Sequence, residues 1–152
     1  MEKKTYAKIV LLVFSILGLV TSMYLYSLHT ALQSGSAICD INSKFSCTNL
    51  AQSGYSSFFG IEIAAIGLIG YSLLTILSLL ILMPPLQNYL PKRMNEKRLL
   101  QIFLALIAIS VLFTIYLIAI EFMIQIFCVG CMVSWTCTLV LAATSYYLYH
   151  KL

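Results

Sequence analysis

Between Leu99 and Tyr149 the chain carries one charged side chain, Glu121. A membrane helix needs about 20 mostly apolar residues, so this stretch has room for two, with a tight turn between them. The turn belongs near Gln125 to Cys131. Two shorter runs are also free of charge, Ile9 to Leu28 and Ile63 to Met83. Pro84-Pro85 stop the second, because proline cannot continue a helix. Hydrophobic residues make up 61% of the 152 and charged residues 9%, against roughly 25% charged in a soluble domain. With a mean hydropathy of +0.97, that much apolar surface cannot be hidden in a water-soluble core of this size. The expected fold is an all-α membrane protein. It is a four-transmembrane-helix bundle in one domain over residues 1–152, with spans at about 8–28, 62–83, 99–122 and 128–149 and an outer cap loop between the first two. Met1-Glu2-Lys3-Lys4 could open a signal peptide. The apolar run that follows is longer than the ~7–15 residues of a signal's apolar region, so it is read as a retained span.

Charge sets the orientation. Lys3, Lys4 and Lys8 precede the first span, Lys92, Arg93, Lys97 and Arg98 lie between the second and third, and Lys151 follows the fourth. By the positive-inside rule that side, with both termini, is cytoplasmic. Lys44, Asp40, Glu62 and Glu121 fall on the other side. The net charge of +4 is therefore a topology signal. No basic stripe argues for a nucleic-acid partner, and the surrounding partner is membrane lipid.

Four of the five cysteines then share the outer, oxidising side, where disulfides persist. Cys39 and Cys47 bracket the polar segment Asp40-Ile-Asn-Ser-Lys-Phe-Ser46, which permits a closed loop, and Gln33-Ser34-Gly35-Ser36 adds slack before it. Cys128-Val-Gly-Cys131 opens the fourth span, where the positive end of the helix dipole favours a thiolate. A thiolate attacks a disulfide through a mixed disulfide, so a mobile pair in a loop and a fixed pair on a helix suit a relay. Blander readings stand beside it. Cys39–Cys47 could be a plain structural bridge. The C-x-x-C could be half a zinc site, but His29 and His150 lie on opposite sides of the membrane and there is no second C-x-x-C, so no metal is expected. Cys137, about one and a half turns further along, reads as an inert buried thiol.

At these residues the sequence resembles the vitamin K epoxide reductase family over nearly its whole length. Cys39-Asp40 with Cys47 after seven intervening residues has the family's loop spacing. Ser53 sits where the family places serine or threonine. Phe58-Phe59-Gly60 resembles the segment leading into the second span, and Phe127-Cys128-Val129-Gly130-Cys131 resembles the redox motif. The other quinone-linked disulfide enzyme family places its C-x-x-C earlier in the chain. The resemblance implies a bundle around a quinone of the menaquinone, ubiquinone or vitamin K type. It implies that a reduced partner attacks the Cys39–Cys47 disulfide at Cys39, that the freed Cys47 attacks Cys128, and that Cys131, nearest the quinone, delivers the electrons. Ser53 would support the loop. Trp135, one turn past Cys131 and so on its face, would wall the quinone site with Ser56 and Phe59. Vertebrate members carry tyrosine at Trp135 and asparagine at Ser56, which speaks against epoxide chemistry. Many bacterial and archaeal members have proline at Glu62.

The expected function is a quinone-dependent thiol–disulfide oxidoreductase of a prokaryotic inner membrane. It would reoxidise a separate thioredoxin-fold disulfide oxidase, since no thioredoxin domain is fused here. The rival readings are a vitamin K epoxide or quinone reductase of the endoplasmic reticulum, and a non-enzymatic four-span channel, carrier or scaffold with a structural disulfide. Glu121, near the outer end of the third span, is read as an interfacial residue facing water in preference to a proton acceptor. His29 and most of the ten tyrosines read as interfacial. Gly60, Ala64, Gly67 and Tyr71 recur at helical spacing, which suggests close helix packing.

Overall fold

A computed structural model describes residues 2–30, 38–52, 54–55, 57–58, 60–83 and 95–151. Helix α1 (Glu2–Thr30) leads through a loop to the short α2 (Cys47–Gln52). A two-stranded antiparallel hairpin follows, β1 (Ser57–Phe58) and β2 (Ile61–Glu62), pairing Ser57 with Glu62 and Phe58 with Ile61. Then come α3 (Ile63–Leu82), α4 (Glu96–Ile124) and α5 (Val129–Lys151). Helices α1, α3, α4 and α5 are each long and apolar enough to cross a membrane, and the protein is a multi-pass membrane bundle. Neither α2 nor the hairpin was foreseen from the sequence.

Helix α1 packs most extensively, against α3 on one side and α5 on the other, while α4 leans on α5 and touches α3 less. The ends are keyed by polar contacts. Lys8 Nζ lies 2.7 Å from Glu96 Oε1, joining the start of α1 to the start of α4. Lys97 sits over the Tyr149 ring, joining the start of α4 to the end of α5. The basic ends of these three helices therefore lie together.

The core is not spread evenly along the bundle. Leu11, Ile81, Leu99, Leu100, Phe103, Leu141 and Leu148 are fully buried, and all belong to the basic half. Helix contacts in lipid rely on close packing and on polar groups that satisfy one another. Ser15 and Ser78 do both: their hydroxyls are 3.1 Å apart between α1 and α3, so that one donates across the helices while the other donates to the carbonyl one turn back on its own helix.

Tyr71 closes this core. Its hydroxyl is 2.7 Å from the Ser134 carbonyl, to which it donates, and 2.8 Å from the Thr138 hydroxyl. Its ring lies flat on Gly18 of α1, where an added Cβ would come within 2.0 Å of ring carbon Cε1. Gly67 similarly admits Ser22, whose hydroxyl would lie 3.1 Å from an added Cβ. Gly60 departs from the packing expectation. It turns the hairpin at φ 80°, and a Cβ there would meet nothing within 4 Å among the described residues. Its constraint is the left-handed backbone, which glycine adopts without steric cost.

Candidate active site

Helix α4 ends at Gln125, which takes a left-handed conformation (φ 56°). Its side-chain amide donates to the Phe122 carbonyl at 2.8 Å. The chain folds back through Ile126 and Phe127, and Cys128 caps α5. The Cys128 carbonyl accepts the Met132 N–H at 3.0 Å, and its sulfur accepts the Cys131 N–H at 3.3 Å. An N-cap side chain that accepts a helix N–H also sits at the positive end of the helix dipole. The Cys128 thiol, just before the span, is held below the ordinary cysteine pKa, first by the hydrogen bond from the Cys131 side chain. Gly130 lets this turn approach α1, since a Cβ there would lie 2.9 Å from Leu25 Cδ2.

The cysteine loop is docked on that turn. Phe45 and Phe127 form a single parallel bridge. Phe127 N–H donates to the Lys44 carbonyl at 2.7 Å, and Ser46 N–H donates to the Phe127 carbonyl at 3.1 Å. The two rings stack with centroids 5.7 Å apart, and Phe122 meets Phe127 edge-on at 5.4 Å. Inside the loop, Asp40 Oδ1 accepts from the Ser46 hydroxyl at 2.8 Å and from the Thr48 N–H at 3.1 Å. Its Oδ2 accepts from the Thr48 hydroxyl at 2.5 Å. Asn42 Oδ1 accepts the N–H groups of Lys44 and Phe45. The acid beside Cys39 therefore organises the first turn of α2, and Cys47 opens that helix.

Cys39 and Cys47 are joined by a disulfide, while Cys128 and Cys131 are free thiols. The sulfurs of Cys47 and Cys128 lie 3.3 Å apart, at residues only 2% and 1% exposed. Leu25, Leu28 and Leu50 cover them. Cys39 is partly exposed. The bundle thus brings all four cysteines into one cluster, with Cys47 and Cys128 buried and Cys39 and Cys131 partly exposed.

Below the cluster, where α3 and α4 diverge, an apolar cavity of about 300 Å³ opens. Cys47, Cys128, Cys131, Trp135, Tyr71 and Glu121 all line it. The indole Nε1 of Trp135 is buried and has no hydrogen-bond partner among the described residues. Cys137 lies outside this lining, in the packed core. Ala64, Gly67 and Tyr71 line the cavity besides packing helices, so the packing expectation told half of their story. Glu121 corrects the sequence reading. It is 2% exposed, and its Oε2 accepts the Cys128 N–H at 3.4 Å. The left-handed turn at Gln125 folds the next residues back over it and keeps it from water. Ser53, Ser56, Phe59 and the Gln33–Ser36 segment lie outside the described residues, as does the side chain of His29.

A membrane four-helix bundle that holds a disulfide against a C-x-x-C, beside an apolar cavity, is the architecture of a membrane oxidoreductase. The chain belongs to the vitamin K epoxide reductase family, whose family model matches residues 9–146. The family is one of quinone-linked oxidoreductases. No individually curated protein matches the sequence.

Proposed function

We propose that this protein is a quinone-dependent thiol oxidase of a prokaryotic cell membrane that reoxidises a separate thioredoxin-fold disulfide oxidase. The observation that carries this reading is the 3.3 Å approach of Cys47 to Cys128, which puts the two pairs within reach of exchange without loop movement. A reduced partner attacks Cys39, the half of the loop disulfide with access to solvent. The Cys39–partner bond forms and Cys47 leaves as a thiolate. When a second partner thiol resolves that bond, Cys39 is freed as well. Cys47 then attacks Cys128 of an oxidised Cys128–Cys131 pair and Cys131 departs with the bonding electrons. Cys39 next attacks Cys47, restoring the loop disulfide and freeing Cys128. The product is the arrangement described above, with an oxidised loop and a reduced C-x-x-C.

The cavity residues fit a quinone. Its walls are apolar, it borders Cys131, and the Trp135 N–H has no other partner among the described residues, so a ring carbonyl could accept that donor. When bound, a quinone supplies a two-electron, two-proton acceptor. Trp135 would hold such a ring beside Cys131, while Leu25, Leu28 and Leu50 cover the exchanging sulfurs. Clustering of Lys8, Lys97 and the end of α5 at the closed end supports cytoplasmic termini and an outward-facing cysteine cluster. Anaerobic mixing of the pure protein with a reduced thioredoxin-fold oxidase and a menaquinone or ubiquinone analogue, followed by quinone absorbance, tests the reading. Stoichiometric quinone reduction is expected. Turnover of vitamin K epoxide instead would place the protein with the reductases of that class. No redox exchange at all would leave a scaffold with a structural bridge.

A further inference from the structure

Glu121 is a buried acid without a cation. The described residues include one salt bridge, Lys8–Glu96, and no basic side chain lines the cavity that Glu121 faces. A carboxyl group in such a place is costly to ionise and costly to leave unpaired. Acids inside membrane bundles are kept for chemistry more often than for packing. Its surroundings specify which chemistry. Oε2 accepts the Cys128 N–H, and Cys131, whose own N–H is on the Cys128 sulfur, lines the same cavity beside this carboxyl group. The titratable groups facing it are the thiols of Cys128 and Cys131 from the turn and α5, and Tyr71 across the cavity from α3. Tyr55 and the disulfide-bonded Cys47 stand above, and α1 contributes only the uncharged Ser22, Leu25 and Leu28.

We propose that Glu121 is the group through which Cys131 gains and loses its proton. The assignment rests on the thiol-relay reading above. When Cys47 attacks Cys128, the Cys47–Cys128 bond forms, the Cys128–Cys131 bond breaks, and Cys131 carries away the electron pair as a thiolate. A Glu121 carboxyl donates its proton to that sulfur and becomes a carboxylate, which the Cys128 N–H then stabilises. The structure holds the step after, with the Cys39–Cys47 bond restored and Cys128 and Cys131 free, and the Cys128 N–H on the Glu121 carboxyl group. On reoxidation Cys131 returns its proton to Glu121 and the pair closes. The glutamic acid ends unchanged. The two protons that the quinone takes up balance the two lost by the thiols of the reduced partner. Among the described cavity-lining residues Glu121 is the one carboxyl group, so a thiolate formed there has an acid at hand.

The test uses the full chain in detergent or nanodiscs with Glu121→Gln and Glu121→Asp. Glutamine keeps an acceptor oxygen for the Cys128 N–H but carries no exchangeable carboxyl proton. Glu121→Gln is expected to lower kcat for quinone reduction about 100-fold or more, the ordinary scale of general acid–base catalysis. KM for the thiol partner should be unchanged and one limb of the pH profile lost. Glu121→Asp should restore part of the rate. The second readout needs no quinone. The reduced-minus-oxidised infrared difference spectrum, with dithiothreitol as reductant, should show loss of a carboxylic acid carbonyl band, absent in Glu121→Gln and shifted in Glu121→Asp. Wild-type spectra without that band overturn the assignment, even if Glu121→Gln fails to fold. So does Glu121→Gln activity within threefold of wild type at an unchanged pH profile. If the band is present but no thiol partner reduces quinone, the functional reading fails while the proton assignment stands.

Discussion

Phe45 and Phe127 face each other across a one-residue parallel bridge, and this bridge sets how far the loop disulfide lies from the C-x-x-C. The next residue after each phenylalanine is a member of the cluster or its immediate neighbour: Cys128 follows Phe127, and Ser46 and Cys47 follow Phe45. Removing one ring should leave the backbone bonds but loosen the register. Stacking of this kind is worth about 0.5–1.5 kcal/mol, so Phe127→Ala should slow exchange between the two pairs by roughly 2–10-fold. Single-turnover quench of the reduced loop, trapped with acid and analysed by mass, measures it. A rate equal to wild type would mean that the backbone bonds alone hold the register.

Cys128→Ala and Cys131→Ala should each abolish quinone reduction, while Cys137→Ala should stay within a few-fold of wild type. The first two sit at the cavity; Cys137 is buried among core residues such as Leu141, where loss of a sulfur leaves a small void and removes no chemistry. Steady-state assays of the three purified variants decide it. Loss with Cys137→Ala comparable to Cys131→Ala would put the fifth cysteine in the relay.

Cys131→Ala should also accumulate a disulfide between Cys47 and Cys128. Their sulfurs are already 3.3 Å apart, and once bonded they lack a resolving thiol on the cavity side. Cys39 alone can reverse the bond, so capture should be substantial and incomplete. Proteolysis between the two positions, followed by mass spectrometry without reductant, should yield linked fragments. Linkage of Cys39 to Cys128 instead would exchange the roles of the loop cysteines.

Much of the bundle was legible because the membrane imposes lengths that charge-free runs reveal directly. Four such runs became four helices. What the sequence hid was depth and local backbone geometry. Glu121 lies near a helix end, a position that usually means the interface. The left-handed turn at Gln125, a residue with no special preference for it, folds the chain back over that acid. Gly60 fell into register with Ala64 and Gly67 by spacing alone, whereas its place is the hairpin turn before α3 begins. The docking of Phe45 on Phe127 joins residues 82 apart in sequence, with no periodicity to announce it. The clustering of four cysteines was suggested by topology, but which sulfur meets which depends on that bridge and on the Asp40 hydrogen bonds.

Gly18→Ala should destabilise the bundle by about 1–3 kcal/mol, the ordinary scale for forcing a methyl into a packed core. The new methyl group would collide with the Tyr71 ring. Thermal unfolding in detergent should show the loss. In a Tyr71→Ala background the same substitution should cost little, because the clash has gone, and a double-mutant cycle would report that coupling. An equal cost in both backgrounds would mean that Gly18 matters for α1 itself.

The uneven core has a consequence for the cell that carries this protein. All the redox groups, and the acid that faces them, gather at one end of the bundle. Beneath Tyr71 the interior is filled by Leu11, Phe103, Leu141 and their neighbours, and the buried hydroxyls of Ser15 and Ser78 satisfy each other locally. No chain of titratable groups continues through the described residues of that half. On the thiol-relay reading proposed above, protons would enter and leave on one face, and the lower half would act as an electrical insulator. Electrons passed to a quinone in the lipid phase would then not short-circuit the ion gradient across the membrane.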